Sequence, residues 1–124
     1  AGQRGVIAAA VRRPATQQAA GTAWMPAVVG ELMADPYGAV RYVAGHALQS
    51  IPDFEDYAYD FVQRPHQRRA VAVDVERRAA ANVARALQAG QLSPALPFTP
   101  EGVLTDAARA LLSQRDQRTV HLLE

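Results

Sequence analysis

One stretch of the sequence decides the fold: DPYGAVRYVAGHALQSI, residues 35–51. Its apolar side chains recur every three or four positions, a spacing that places them on one face of an α-helix. These side chains are Val40, Val43, Ala44, Ala47, Leu48 and Ile51. The pattern predicts an amphipathic helix from Gly38 to Ile51. Pro52 ends it, because the residue before a proline disfavours helical geometry.

The segment just before this stretch predicts a second helix, from Trp24 to Asp35. Its apolar stripe is formed by Trp24, Met25, Val28, Val29, Leu32 and Met33. We expect Thr22 to cap the helix through its side-chain oxygen. Pro26 falls in the first turn, where a missing N–H costs little. Because the turn from Asp35 to Gly38 is short, the two helices are expected to be adjacent and antiparallel.

A short helix is predicted near the amino terminus, from Gly5 to Arg13, and Pro14 ends it. Its expected buried face is formed by Val6, Ile7, Ala10 and Val11. The small and polar residues 15–21 fit either a helix or a loop, so both alternatives stay open.

A long helix is predicted from Arg68 to Ala89, after a breaker at residues 64–66, and Gly90 suits the position just past its end. Its expected buried face is formed by Val71, Val75, Ala79, Val83, Ala86 and Leu87. Its expected solvent side is formed by Asp74, Glu76, Arg77, Arg78 and Arg85.

The last predicted helix begins with Thr99 as cap and Pro100 as its first residue. Its apolar residues are Leu104, Ala107, Ala108, Leu111 and Leu112. In the tail, residues 115–124, alternation at Val120, Leu122 and Glu124 leaves the structure open. About five helices in one domain, residues 1–124, predict an all-α fold, arranged as a short solenoid or irregular bundle.

Composition narrows the classes of function. The 124 residues carry a net charge of +1, their 13 basic residues are all Arg, and there is no Cys. A balanced charge argues against a dedicated nucleic-acid binder, and no apolar run approaches the ~20 residues that span a bilayer. Without Cys there are no disulfides, thiolate metal sites or covalent haem attachment. We expect no cofactor, no membrane and no nucleic acid.

Aromatic and acidic residues alternate in the segment from Asp53 to Val62, where Tyr57, Tyr59 and Phe61 follow a period of two. With no partner strand in the sequence, this segment is predicted to cross over the helices in an extended form. A basic cluster follows it directly. The candidate partner surface therefore consists of Tyr57, Tyr59, Arg64, Arg68 and Arg69.

Sharper chemical interpretations find little support in the sequence. His46, His66 and His121 lack the spacing of a metal motif. The acidic residues Asp53, Glu55, Asp56 and Asp60 lack the pattern of a calcium loop. We predict no catalytic and no metal-binding residues, and no enzyme. An enzymatic alternative would need one pocket that gathers Tyr57, Tyr59, Asp60 and either His46 or His66.

Asp35-Pro36, Val40-Arg41, Ala44, Ala47-Leu48 and Ile51 together resemble the second half of a HEAT repeat. The resemblance covers about 30 residues, with residues 24–35 as the first helix of the pair. It implies HEAT-like helical hairpins whose Arg and Asp bond between neighbouring units. For function it implies a non-enzymatic protein-interaction or scaffolding module of a larger bacterial protein, with a protein partner or other domains of the same parent chain.

A longer set of residues supports a second resemblance. Gly21-Thr22-Ala23-Trp24, Asp35-Pro36-Tyr37, Val40-Arg41 and Tyr59-Asp60-Phe61 are similar to a HEAT-like C-terminal module of bacterial multihaem cytochrome c-like proteins. This alternative implies a structural support module whose haem-binding region lies outside the chain, in a periplasmic or other extracytoplasmic location. Otherwise the expected location is cytoplasmic. Since the chain begins with Ala-Gly, we expect a processed protein or a piece of a longer one.

Overall fold

The computed structural model describes residues 2–114, apart from the side chains of residues 112 and 113. Within that range it contains six helices and no strand. The helices are α1 (Gly2–Val11), α2 (Pro14–Ala20), α3 (Met25–Met33), α4 (Gly38–Gln49), α5 (Pro65–Gln88) and α6 (Asp106–Ser113). The predicted all-α class is confirmed, with six helices where about five were expected. The alternation predicted in the tail, together with His121, lies outside the described residues.

The centre of the fold is α3, which contacts α1, α4 and α5. Eight of its nine residues are buried, as expected for a helix covered on several sides. At Gly30 an added Cβ would lie 3.2 Å from Cβ of Val75, so a glycine lets α5 approach closely. The apolar stripe predicted for this segment therefore forms the interior of the domain.

The stretch that decides the fold forms α4, as predicted, with its last helical residue at Gln49. Val40, Ala44, Ala47 and Leu48 are buried between α1 and α3, and Ile51 is buried just past the helix end. Burial of such side chains contributes about 1.5–3 kcal/mol for each large one, which is more than short helices gain by themselves.

The face predicted for α1 is right only in part: Val11 is buried as predicted, whereas Val6 and Ile7 are exposed. Val6 is 69% exposed, and the buried residues are Ala8 and Val11. Alanine and valine occur on both sides of this helix, so hydrophobicity alone does not select one. An ion pair favours the observed side: Nε of Arg4 donates to Oδ2 of the fully buried Asp35 at 2.5 Å, and Arg4 shares its face with Ala8 and Val11.

The predicted cap of α3 and the predicted start of α5 are also wrong. The residue before α3 is Trp24, which makes no side-chain cap, so Thr22 does not cap the helix, although Pro26 lies in the first turn as expected. Pro65 opens α5 instead of breaking the chain, because a proline ring suits the first helical position. At the other end, Gly90 has a φ of +70° just past the helix, as predicted.

The start predicted at Thr99 and Pro100 is a tight turn instead of a helix. The N–H of Thr99 donates to the carbonyl of Val103, and Phe98 and Leu104 form an isolated antiparallel bridge. Leu104 is buried outside any helix. The last helix begins only at Asp106.

Glu76 corrects the predicted solvent side of α5, because it is buried. Its Oε1 accepts a hydrogen bond from the N–H of Leu104 at 2.8 Å and another from Arg109 at 2.5 Å. A buried carboxylate needs such partners, and here they come from the turn and from α6. Within the described part of the chain, no helix combines the length and apolar character needed to cross a membrane.

Candidate functional site

The segment between α4 and α5, residues 50–64, which we call the crossing segment, lies lengthwise along α4 and runs in the opposite direction. Gln49 donates to the carbonyl of Tyr57, the ring of Tyr59 lies on Gly45, and Nε of Arg41 donates to the carbonyl of Phe61 at 2.7 Å. Each step of two extended residues spans about 6.6 Å, close to the about 6.0 Å of four helical residues. The predicted alternation of aromatic residues therefore matches the turns of the helix.

Tyr59 anchors this segment to the core. Its hydroxyl donates to the carbonyl of Met33 at 2.7 Å. Any Cβ at Gly45 would overlap the Tyr59 ring, so the close fit depends on the missing side chain. Burial raises the pKa of Tyr59 to about 12, so the hydroxyl stays protonated and able to donate even at pH values well above neutral.

Beside this anchor lies a cavity of about 230 Å³ that we call the aromatic cleft. It is lined by Tyr42, Gly45, His46, Gln49, Tyr59 and Phe61. The ring of Tyr42 meets His46 edge-on at a centroid distance of 4.6 Å and Phe61 at 5.2 Å. Tyr42 is 50% exposed and Phe61 is 40% exposed. The cleft thus presents aromatic rings to solvent on a rigid base.

Arg41 holds the base of the cleft in place. Its Nη1 donates to the carbonyls of Asp35 at 2.7 Å and Pro36 at 2.9 Å, while its Nε holds Phe61. Burial, and secondly the charge of Arg68, lower the pKa of Arg41 from its ordinary value. One side chain therefore ties the α3–α4 turn to the crossing segment. The carboxylate of Asp35 is bound by Arg4 instead.

The three arginines of the predicted partner surface have different surroundings. Arg69 forms a bidentate ion pair with the buried Glu31. Arg68 donates from Nε to the carbonyl of Gln63 at 2.6 Å, and Arg64 is exposed at the start of α5. Of these three arginines, Arg64 and Arg68 have no ion pair with a carboxylate of the described residues. We call these two residues the basic rim, because Arg64 and the Arg68-bound Gln63 lie only two or three residues after Phe61 of the cleft.

Tyr57 is directed away from the aromatic cleft. Its hydroxyl donates to Oδ2 of Asp74 at 2.9 Å, and the guanidinium of Arg78 lies 5.2 Å above its ring. Burial, followed by the bond to Asp74, raises the pKa of Tyr57 to about 12, and the same bond lowers the pKa of Asp74. Tyr57 thus joins the crossing segment to α5.

The sequence-based partner surface is brought together only in part. Tyr59 lines the cleft and the basic rim adjoins the segment that supports it, whereas Tyr57 and Arg69 are engaged elsewhere. The residue that sequence reasoning missed is Tyr42. The signal for it was present, because Tyr42 and His46 are four residues apart on the exposed side of a helix.

The pocket required by the enzymatic alternative forms only in part. Tyr59 and His46 share the cleft, but Tyr57, Asp60 and His66 do not line it. The acidic loop has a φ of +74° at Asp53, and its carboxylates do not converge: among residues 2–114 there is no group of three His, Asp or Glu side chains placed to hold a metal.

A larger groove of about 520 Å³ lies between α1, α3 and α6. Its polar side chains are already bound within the chain: Arg4 to Asp35, Glu31 to Arg69, and Thr105 to the N–H of Ala108. The groove therefore offers apolar surface without a free group to orient a ligand, whereas the aromatic cleft has both rings and nearby cations.

In comparison with known proteins, no family model, no curated protein and no solved structure matches this chain.

Proposed function

We propose that this chain is a non-enzymatic protein-interaction or scaffolding module that binds a segment of a partner protein in the aromatic cleft. The observation that carries the proposal is the pair of half-exposed rings, Tyr42 and Phe61, set edge to face beside a small cavity. Aromatic side chains dominate the energy of protein interfaces, and exposed groups of them mark binding surfaces.

The hydrogen bonds that hold the cleft in place support the same function. The backbone of Phe61 is held by Arg41, and the floor of the cleft is held by the hydroxyl bond of Tyr59. Binding to a surface that is already ordered loses less conformational entropy, so more of the contact energy appears as affinity. A HEAT-like arrangement of α3 and α4 is part of the proposal, and the bonds from Arg41 to the turn between them support it.

Selection from a random peptide library tests the function. We expect the 124-residue chain to enrich a related set of peptides, and Phe61→Ser to lose them, because the substitution removes one wall of the cleft. The matched control is Val6→Ser, which also removes an exposed apolar side chain but lies outside the cleft. Far-ultraviolet circular dichroism checks that both variants are folded. Equal enrichment by the Phe61→Ser variant would contradict the proposal.

A further inference from the structure

Positively charged side chains are concentrated on one side of the aromatic cleft. Arg41 and Arg68 each donate through Nε to carbonyls two residues apart, at Phe61 and Gln63. Two guanidinium groups are therefore held along one short piece of backbone, and the exposed Arg64 directly follows it. Among the described residues, none of these three arginines has a carboxylate ion pair, although Arg4, Arg69, Arg77, Arg78 and Arg109 each do.

The acidic residues of the crossing segment lie mainly at its other end. Asp53, Glu55 and Asp56 are exposed next to the end of α4, before Tyr57 meets Gln49. From there to Arg41 the segment follows eight residues of α4, a distance of about 12 Å, which exceeds the Debye length of about 8 Å at physiological salt. Of the acidic residues in this segment, only Asp60 is close in sequence to the basic rim, and its Oδ1 accepts a bond from the N–H of Val62.

We infer that the partner is an acidic protein segment in which an aromatic side chain is flanked by carboxylates. Its ring packs against Tyr42 and Phe61 in the cleft, and its carboxylates accept hydrogen bonds from Arg64 and Arg68. The inference rests on the proposed function and adds the chemistry of the ligand. Guanidinium groups recognise carboxylates through paired donors, and complementary charge fixes the orientation of a bound segment.

Titration of the 124-residue chain with short synthetic peptides, monitored by ¹⁵N–¹H NMR, tests the inference. The probes share a central phenylalanine and differ in their flanking residues, which are glutamate, serine or lysine. At low salt we expect the glutamate peptide to bind at least about fivefold more tightly than the serine peptide. High salt should narrow this difference, because it screens exposed charges. The amides of Tyr42 and Phe61 should shift on binding.

Charge reversal at the basic rim provides the second measurement. Arg64→Glu should weaken binding of the glutamate peptide about threefold or more and leave the serine peptide unaffected. The matched control is Arg85→Glu, which makes the same charge change at an exposed position near the other end of α5. It is 21 residues further along the helix, about 31 Å away, so it should leave both affinities unchanged.

The outcomes separate the two proposals. Equal affinity for the glutamate and serine peptides, or a preference for lysine, would overturn the acidic partner while the interaction function stands. If none of the phenylalanine peptides binds, both proposals lose their support. Tighter binding of an oligothymidylate than of the glutamate peptide would assign the rings and cations to nucleic acid and overturn the inference.

Discussion

At the scale of single residues, the cleft depends on a side chain that is missing. Gly45 lies inside α4, where glycine costs about 1 kcal/mol relative to alanine. The fold accepts this cost because the Tyr59 ring occupies the space that a Cβ would need. The ring then carries the hydroxyl bond to the carbonyl of Met33, which fixes the crossing segment to the end of α3.

We predict that Gly45→Ala lowers the free energy of unfolding by about 1–3 kcal/mol, since the added methyl group displaces the Tyr59 ring from a packed site. Gly5→Ala is the matched control. It is also inside a helix, but a Cβ there meets nothing within 4 Å, so it should be neutral or stabilise by up to about 1 kcal/mol. Urea unfolding measures both. A Gly45→Ala variant as stable as the parent would mean that Tyr59 is not held tightly.

At the scale of secondary-structure elements, buried carboxylates attach the outer helices. Asp35 forms an ion pair with Arg4 of α1. Glu76 accepts a hydrogen bond from the N–H of Leu104, in the turn at residues 98–104, and forms an ion pair with Arg109 of α6. The tip of that turn is close to α5, because a Cβ at Gly102, which has a φ of +86°, would overlap the backbone of Ala80. The helix α6 makes no close backbone contact with the other described helices, and the ion pair between Arg109 and Glu76 connects it to α5.

We predict that Glu76→Ala lowers the free energy of unfolding by about 1–3 kcal/mol, because the buried N–H of Leu104 loses its acceptor. Glu76→Gln should cost less, since an amide oxygen can still accept that bond. Hydrogen exchange at the Leu104 amide is the local measurement, and it should accelerate most in Glu76→Ala. Unchanged exchange in that variant would show that the turn is held by other contacts.

The elements also show how far the sequence is informative. The helices α3, α4 and α5 were predictable because a single apolar stripe defines each of them. The buried side of α1 could not be predicted in full, because Val6 and Ile7 are as apolar as Ala8 and Val11. The ion pair that favours the observed side joins Arg4 to a residue 31 positions away. Glu76 had the sequence signature of a surface residue for the same reason, since its partners at Leu104 and Arg109 are distant in sequence.

At the scale of the whole molecule, the crossing segment closes the core. Tyr57 and Tyr59 pack on the main hydrophobic cluster, and their hydroxyls bond to α5 and to the end of α3 respectively. For the site, sequence indicated Tyr59 and the basic rim, but not which ring would face solvent. That choice is made by the register on α4, which turns Phe61 towards Tyr42 and Tyr57 towards Asp74.

We predict that the free energy of unfolding falls as the pH rises from about 10 to about 12. Burial raises the pKa of Tyr57 and Tyr59 to about 12 in the folded chain, whereas the ordinary pKa of a tyrosine is 10.0. Below pH 10 their contribution is fully present. Between the two values the unfolded state releases protons that the folded state retains, which favours unfolding. Urea unfolding across this range measures the slope.

The control for this prediction is a chain that carries both Tyr57→Phe and Tyr59→Phe. It lacks the two buried hydroxyls, so its stability should be lower at pH 9 but should decline less steeply above pH 10. Identical slopes in the two proteins would assign the alkaline loss to other groups.

In the crossing segment, the length of two extended residues matches one turn of α4. This match limits how the segment can change in length. Deleting Ala58 would put every later residue of the segment one place out of step, so Tyr59 would turn away from Gly45 and the carbonyl of Phe61 would leave Arg41. Removal of two residues would preserve the facing direction and shift the contacts by one turn. Evolutionary insertions and deletions between Tyr57 and Phe61 should therefore occur in even numbers.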